Sequence, residues 1–233
     1  MALSSALQKK IEDEARKFWG VHAADSGFEE ITRGKEVGHR IADYVDDRTT
    51  ALLKVNFDTR YEADSKGMPR KRSMGDVWIS EKGVFYPVNV KAGLQDMNGQ
   101  PNLVSMQKLL DYLFNHWIDS YYLLIVKFAL GDHIQQKTVM VDLLDWLDFV
   151  AYDAGPGQIM LRERDFFDAL ASGHRPVKRT MAEKVDHLFV RFESGVESLI
   201  RNRKTRLKRQ KQRFKSFGDT AFVVDQSTLK FVP

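Results

Sequence analysis

Three polar side chains stand where two short apolar segments meet across a predicted turn. Asp76 precedes one apolar segment, and Asn89 and Lys91 lie two positions apart in the next. Because side chains alternate along a strand, Asn89 and Lys91 project from the same face. Residues 81–83, Glu-Lys-Gly, predict a hairpin turn that folds this face back over Asp76. The arrangement predicts a metal-dependent site for cutting phosphodiesters.

The residue types fit the hydrolysis of a phosphodiester. This reaction needs an activated water, neutralisation of charge on the pentavalent phosphate and help for the leaving oxygen. Mg²⁺ prefers oxygen ligands, and Asp76 would supply a carboxylate, Asn89 an amide oxygen and Val90 a backbone carbonyl. Lys91 could orient the attacking water and stabilise negative charge. The spacing alone also occurs in ordinary sheets, in which such an Asp caps a turn and such a Lys is solvated.

Hydrophobic periodicity predicts a mixed α/β chain around these residues. Helical spacing of apolar residues predicts helices at residues 5–19, 29–53, 103–117 and 165–171, and a long amphipathic helix that Thr180 opens. Apolar runs rich in β-branched and aromatic residues predict strands at residues 120–130 and 137–141. Gly, Pro and polar residues predict loops at 60–72 and 92–102 and a turn at 152–158.

The composition limits the class of protein. With 43% hydrophobic and 29% charged residues, the 233-residue chain has the composition of a globular protein rather than a disordered one. It contains no cysteine, which excludes a disulfide framework and a thiolate metal site. Charged residues appear too early for a signal peptide, and no apolar run approaches the roughly 20 residues of a membrane span. We therefore expect a cytoplasmic protein without a membrane partner.

A continuous basic segment lies towards the end of the sequence. Residues 201–215 carry nine basic residues and no acid, so that a net charge of +4 for the whole chain leaves −5 on the remainder. An acidic body with one basic strip is typical of proteins that dock onto a polyanion. The alternative is a solvated helix face or a coiled-coil flank, although such faces usually interleave acids. The predicted DNA contacts in this strip are Arg201, Arg203, Lys204, Arg206, Lys208 and Arg209.

Two polar segments beside the candidate site are candidates for further DNA contacts. The segment after Lys91 is rich in side-chain amides, which make bidentate contacts to adenine in the major groove. A plain polar loop is the alternative. The segment before Asp76 carries clustered positive charges, which favour phosphate or base contacts. The predicted contacts in the two segments are Arg70, Lys71, Arg72, Gln95, Asn98, Gln100 and Asn102.

These residues resemble the PD-(D/E)xK nuclease superfamily, and within it the type II restriction endonucleases. Asp76 matches the first acid of that pattern, Asn89 stands at the second acidic position and Lys91 matches the lysine. Asn89 departs from the commonest pattern, and a neutral amide there lowers metal affinity unless another acid contributes. The superfamily often places an additional acid on the preceding helix, where Glu36 is the candidate, ahead of Glu30. Supporting segments lie at residues 88–91, 100–105, 121–126 and 155–160, within a resemblance that covers about residues 29–170.

The resemblance implies an α/β, restriction-endonuclease-like fold with a mixed central sheet flanked by helices and a C-terminal helical basic region. We expect one domain over residues 1–233, with a catalytic core at 20–175 and a long amphipathic helix at 180–215 that ends in the basic strip. The implied activity is Mg²⁺-dependent cleavage of both strands of double-stranded DNA at a short specific sequence. A homodimer does this most simply, because its symmetry matches that of a palindrome. The alternatives are a structure-specific repair or recombination nuclease of the same superfamily, and a sequence-specific DNA-binding protein whose nuclease site has decayed at Asn89.

Overall fold

The computed structural model describes residues 2–23, 37–63, 66, 68, 73–94, 101–129 and 135–215. In these residues a mixed five-stranded sheet is flanked by helices, and a smaller three-stranded sheet packs beside it. The strands are β1 (Thr59–Arg60), β2 (Val77–Glu81), β3 (Val84–Leu94), β4 (Asn102–Ser105), β5 (Tyr122–Ala129), β6 (Gln135–Asp142), β7 (Val150–Asp153) and β8 (Gln158–Leu161). The α-helices are α1 (Ser5–His22), α2 (Val37–Asn56), α3 (Met106–Phe114), α4 (Glu163–Ala171) and α5 (Met181–Lys215). Two short 3-10 helices cover Leu143–Asp145 and Leu147–Phe149.

The central sheet has the strand order β1-β2-β3-β5-β6 and is both antiparallel and parallel. The hairpin of β2 and β3 is antiparallel, β3 pairs in parallel with β5, and β5 pairs with β6 in an antiparallel way. Seven of the eight residues of β5 are buried, as its nearly continuous apolar sequence predicts for a strand covered on both faces. The hairpin predicted at residues 81–83 is confirmed, with its turn at Lys82 and Gly83.

Separate groups of apolar side chains cover the two faces of this sheet. On one face, Ile11 of α1 and Leu53 of α2 pack against Val88 and Val90 of β3. The opposite face packs against α3, α4, α5 and the smaller sheet, through a larger cluster that includes Leu123 and other buried side chains of these elements. Val88 and Val90 face α1 and α2. Because side chains alternate along a strand, Asn89 and Lys91 face the opposite side of the sheet.

The helix ends follow recognisable capping chemistry. At α1, the Ser4 hydroxyl oxygen accepts the Leu7 N–H at 3.2 Å. At α5, Thr180 and Glu183 form a reciprocal capping box, in which the Glu183 carboxylate accepts the Thr180 N–H at 2.7 Å and the Thr180 hydroxyl oxygen accepts the Glu183 N–H at 3.3 Å. This confirms the start of the long helix predicted at Thr180.

Two boundaries predicted between residues 92 and 117 are wrong. Residues 92–94 extend β3 rather than opening a loop, and residues 103–105 form β4 rather than the first turn of a helix. The helix begins only at Met106, where the Ser105 hydroxyl caps it by accepting the Lys108 N–H. Apolar residues of a strand run directly into those of a helix here, and periodicity alone does not separate the two.

None of the helices within the described residues is both long and apolar enough to cross a membrane.

Candidate active site

The candidate site lies where β2 begins and the middle of β3 passes it. Asp76 is the residue just before β2, and Gly75 sits so close to β3 that a Cβ atom there would lie 2.8 Å from both the N and O atoms of Val88. The Asp76 N–H donates to the Val88 carbonyl at 3.0 Å. The absence of a side chain at residue 75 therefore allows the close approach that places Asp76 against the middle of β3.

The Asp76 carboxylate binds the edge of β3 just before β2 begins, where β3 has no paired residue on that side. Its Oδ2 atom accepts the Val90 N–H at 2.8 Å. Alternate residues of a strand direct both backbone groups to the same neighbour, so Val90, like Val88, directs its N–H and its carbonyl to the β2 side. Because β2 begins at Val77, the Val90 carbonyl lies beside Asp76 rather than opposite a paired strand residue.

Asn89 and Lys91 lie on β3, opposite Leu123 and Ile125 of β5 in the strand register. Asn89 is buried, and its Oδ1 atom has no hydrogen-bond partner among the described residues. Lys91 is partly exposed. The structure therefore brings together Asp76, Asn89, Val90 and Lys91, as the hairpin predicted.

A further acid, which no sequence pattern singled out, interacts with the site from α2. Asp46 is on α2, the helix that packs along β3, and its charge interacts with those of Asp76 and Lys91. Its Oδ1 atom is buried and has no hydrogen-bond partner in the part of the chain that the structure describes. The candidates on the preceding segment, Glu36 and Glu30, lie outside the described residues.

The two carboxyl groups of the site share an excess of negative charge in a desolvated setting. Burial, reinforced by Asp76, Asp43 and Asp47, raises the pKa of Asp46 to about 7, against the attraction of Lys91. Burial also raises the pKa of Asp76, while Lys91 and the Val90 N–H act to lower it. Lys91 alone does not offset the cost of burying the two carboxylates. An additional positive charge at the site would therefore stabilise their ionised forms.

The oxygen atoms of this site fit a hard divalent cation. Two buried oxygens that have no hydrogen-bond partner among the described residues, Asp46 Oδ1 and Asn89 Oδ1, accompany the Asp76 carboxylate and the Val90 carbonyl. Mg²⁺ prefers such carboxylate, amide and carbonyl oxygens. Within the described residues no three His, Asp or Glu side chains are grouped closely enough to hold a metal. A cation here would thus depend on the neutral oxygens of Asn89 and Val90.

No model of a known protein family matches this chain, and no curated protein matches its sequence.

The chain leading to Asp76 is fixed by Glu62. The Glu62 carboxylate accepts the Met74 N–H at 2.9 Å and the Ser73 hydroxyl at 3.2 Å, and it also accepts the Tyr112 hydroxyl. Through these bonds Glu62, which lies just after β1, links Met74 to Tyr112 of α3. Sequence reasoning missed Glu62, because no local spacing relates it to Asp76.

The predicted basic contacts lie on one projecting helix segment. Every residue from 201 to 212 of α5 is exposed, whereas the preceding part packs on the body through Val185, Leu188 and Phe192. The six predicted DNA contacts therefore have solvated side chains: Arg201, Arg203, Lys204, Arg206, Lys208 and Arg209.

Most of the other predicted contacts are not described by the structure. Asn102 is exposed and begins β4, opposite Met160 of β8, so it belongs to a strand of the smaller sheet rather than to a loop. The remaining predicted contacts lie outside the described residues: Arg70, Lys71, Arg72, Gln95, Asn98 and Gln100.

A signal for Asp46 is present in the sequence. Asp43, Asp46 and Asp47 lie at helical spacing within the segment predicted as a helix, and this spacing places three acids on adjacent positions of its surface. Which of them meets the sheet depends on the rotation of the helix. That rotation is set by the burial of Val45 and Leu53, which requires the packed structure.

Proposed function

We propose that this protein is a Mg²⁺-dependent deoxyribonuclease of the PD-(D/E)xK type, which cuts double-stranded DNA at a short specific sequence as type II restriction endonucleases do. The observation that carries the proposal is the grouping of Asp76, Asn89 and Lys91 on one hairpin, with the charge of Asp46 on α2 interacting with those of Asp76 and Lys91. The Oδ1 atoms of Asn89 and Asp46 are buried and have no hydrogen-bond partner among the described residues. The central mixed sheet flanked by helices is compatible with a restriction-endonuclease-like fold.

The roles of the side chains follow from their chemistry. Asp76, Asp46, Asn89 Oδ1 and the Val90 carbonyl would hold the cation. Bound Mg²⁺ would neutralise charge on the phosphate and make a bound water more acidic. The Lys91 ammonium, a mobile point charge on a flexible stem, would orient the attacking water and stabilise negative charge on the phosphate. Asp46 takes the place that the neutral Asn89 leaves open, because it restores a second carboxylate to the site.

The first experiment is digestion of a long DNA of known sequence with Mg²⁺, followed by sequencing of the ends. We expect discrete fragments whose ends share one sequence. Ends of unrelated sequence at branches or mismatches would instead indicate a structure-specific nuclease. DNA that binds in a salt-sensitive way but is never cut would indicate a decayed site.

The variants Asp76→Asn and Asp46→Asn test the assignment of the two acids. Each substitution keeps the shape and removes one carboxylate, so we expect cleavage to fall by at least about 100-fold for Asp76→Asn and by about 10-fold or more for Asp46→Asn. Metal-free stability should not fall, because burial opposes both charges.

The matched control is Asp111→Asn, at an exposed aspartate on α3. We expect cleavage by this variant to equal that of the wild type in a time course of fragment formation. Cleavage retained by Asp76→Asn would show that the cation site is assigned to the wrong residues.

The proposed reaction is most simply carried out by two copies of the chain. A two-fold pair presents one site to each strand of a palindrome, so the protein symmetry mirrors that of the DNA. Sedimentation of the protein with a short duplex that contains the cleaved sequence should give two protomers per duplex. One protomer per duplex would contradict the homodimer while leaving the nuclease activity to be judged by digestion.

A further inference from the structure

Tyr121 is a buried tyrosine whose hydroxyl has no hydrogen-bond partner among the described residues. It lies directly before β5, and its backbone is fixed on both sides. Its N–H donates to Asp142 Oδ1 at 3.1 Å, and its carbonyl accepts the Leu143 N–H at 2.8 Å. A phenylalanine would fill the same space without burying an unpaired hydroxyl, so packing alone does not account for the tyrosine.

Tyr121 and Asn89 are neighbours on the same face of the central sheet. In the parallel register Asn89 is opposite Leu123, and Tyr121 is two residues earlier on the same face of the sheet. The two groups are not within hydrogen-bond geometry, and Asn89 Oδ1 also has no partner among the described residues. Two unpaired buried polar groups therefore lie next to each other at the candidate site.

An amide ligand has an orientation that a carboxylate does not have. A half-turn about the last bond of Asn exchanges an oxygen, which can bind a cation, for an NH₂ group, which cannot. The two oxygens of Asp are equivalent under the same rotation. A site with Asn at this position therefore needs a neighbour that distinguishes the two ends of the amide.

We propose that Tyr121 is a positioning residue for Asn89, with the tyrosine hydroxyl oxygen accepting the Asn89 Nδ2–H so that Oδ1 is the end left to bind a cation. This inference rests on the proposed cation site. It concerns only how the chain orients its one neutral side-chain ligand, and it gives Tyr121 no contact with the DNA or the reacting atoms.

Tyr121→Phe separates positioning from packing. We expect the metal-free variant to stay folded, with a urea midpoint no lower than that of the Tyr122→Phe control, because the ring keeps its packing and at most one neutral hydrogen bond is lost. We expect its affinity for Mg²⁺ alone, measured by calorimetry without DNA, to fall by about 10-fold, as for other groups that orient a metal ligand. Unchanged Mg²⁺ affinity would overturn the proposal.

The adjacent Tyr122→Phe is the matched control. The Tyr122 hydroxyl is also buried but accepts the Leu3 N–H at 2.8 Å, and its ring packs with Val88 and Val90 on the opposite face of the sheet. This variant should lose stability and keep the wild-type Mg²⁺ affinity. The same chemical change should therefore lower the Mg²⁺ affinity at Tyr121 and leave it unchanged at Tyr122.

A second background tests the role of amide orientation. In Asn89→Asp either oxygen can bind a cation, so adding Tyr121→Phe should change Mg²⁺ affinity by less than about 2-fold. An equal loss in both backgrounds would mean that Tyr121 does not act by orienting the amide, and would overturn the proposal.

A wild-type protein that neither binds Mg²⁺ nor cuts DNA would remove the proposed function, and the hydrogen bond itself would then be decided by NMR. In metal-free protein, Tyr121→Phe should shift the Asn89 side-chain amide signals and speed their hydrogen exchange. Signals that stay unchanged would overturn the positioning role independently of any activity.

Discussion

Individual oxygen atoms at the candidate site lack the hydrogen bonds that buried polar groups normally make. Among the described residues, Asp46 Oδ1, Asn89 Oδ1 and the Tyr121 hydroxyl all belong to this group. Each unpaired buried group costs on the order of 1–3 kcal/mol in a folded protein. Unpaired buried nitrogens also occur elsewhere in the described residues, at Arg162, Arg179 and Arg191, but the unpaired buried oxygens are these three, and such oxygens are typical of sites whose partner is a ligand.

Asp142, a buried carboxyl group outside the candidate site, tests how burial changes the pKa of a single residue. Asp142 Oδ1 accepts the N–H groups of Tyr121 and Leu144, both at 3.1 Å. Burial raises the pKa of Asp142 from 3.8 to about 6, against the attraction of Lys184. Folding therefore favours the protonated form, and the stability that this contributes at low pH is lost as the pH rises from about 4 through 6.

Asp142→Asn keeps the accepting oxygen and removes the charge. Relative to the wild type, we expect this variant to gain on the order of 1–3 kcal/mol of stability between pH 4 and pH 6, with no further gain above that range. Urea midpoints at pH 4, 5, 6 and 7 measure the difference. Asp186→Asn, at an exposed aspartate of α5, controls for the loss of one carboxylate from the chain. A constant difference for Asp142→Asn would contradict the assigned effect of burial.

The sequence alone predicted the site residues that lie close together in the chain. It did not predict those that reach the site from distant parts of the chain. Asp76, Asn89 and Lys91 are joined by one hairpin, so strand alternation and a turn are sufficient to bring them together. Asp46 and Tyr121 reach the same place through helix packing and parallel strand pairing, both of which depend on the tertiary structure. The amide orientation of Asn89 likewise has no signal in a single sequence.

Elements were predicted best where the residues at their ends have one clear role. Thr180 and Glu183 mark the start of α5 by capping, and Lys82 with Gly83 marks the hairpin. By contrast, Leu103 and Val104 carry apolar side chains that suit either a strand or a helix. Their pairing in β4 depends on β8, more than 50 residues later in the chain, and local patterns do not indicate it.

The packing of α5 on β7 gives a test at the scale of an element. A Cβ atom at Gly195 would lie 2.5 Å from Tyr152 Cδ1 and 2.7 Å from the Tyr152 carbonyl oxygen. Because a backbone atom is involved, Gly195→Ala must move the helix or the strand, and we expect a loss on the order of 1–3 kcal/mol in urea unfolding.

Gly20→Ala in α1 is the matched control for this substitution. Its nearest atom would be Gln136 Nε2 at 3.7 Å, an ordinary van der Waals distance. We expect a gain of roughly 0.5–1 kcal/mol, because alanine restricts the unfolded chain and favours the helix. A neutral or stabilising Gly195→Ala would show that α5 packs on β7 more loosely than the distances indicate.

Charge is distributed unevenly over the whole molecule. The nine basic residues of 201–215 carry more positive charge than the whole chain has in net terms, so the rest of the protein is acidic. The part of α5 that holds residues 201–212 is exposed along its whole length. Within the part of the chain that the structure describes, its basic side chains are therefore solvated rather than packed against the body.

Replacing three of these basic residues tests whether DNA binding depends on their position or on total charge. We expect the triple variant Arg203→Gln, Arg206→Gln, Arg209→Gln to weaken DNA binding and to reduce the slope of log K against log salt by about 0.9 for each phosphate that is no longer neutralised. Its thermal stability should match that of the wild type, since all three side chains are exposed.

The control removes the same charge from exposed lysines of α1, in the triple variant Lys9→Gln, Lys10→Gln, Lys17→Gln. We expect its salt slope to differ from the wild-type value by less than about 0.9, the change that corresponds to one phosphate. Equal reductions in the two variants would mean that net charge, rather than the projecting helix, governs binding.

Because α5 is one uninterrupted helix, the packing of its first part on the body determines the direction in which each basic side chain points. The helix is clamped through Leu188 and Gly195 and continues without a break into the exposed part. Each residue added to an α-helix turns everything beyond it by about 100°. One alanine inserted after Leu199 would keep every charged residue but rotate the whole basic strip about the helix axis. The number of residues between the packed and the exposed part of α5 therefore determines which way the strip faces relative to the body.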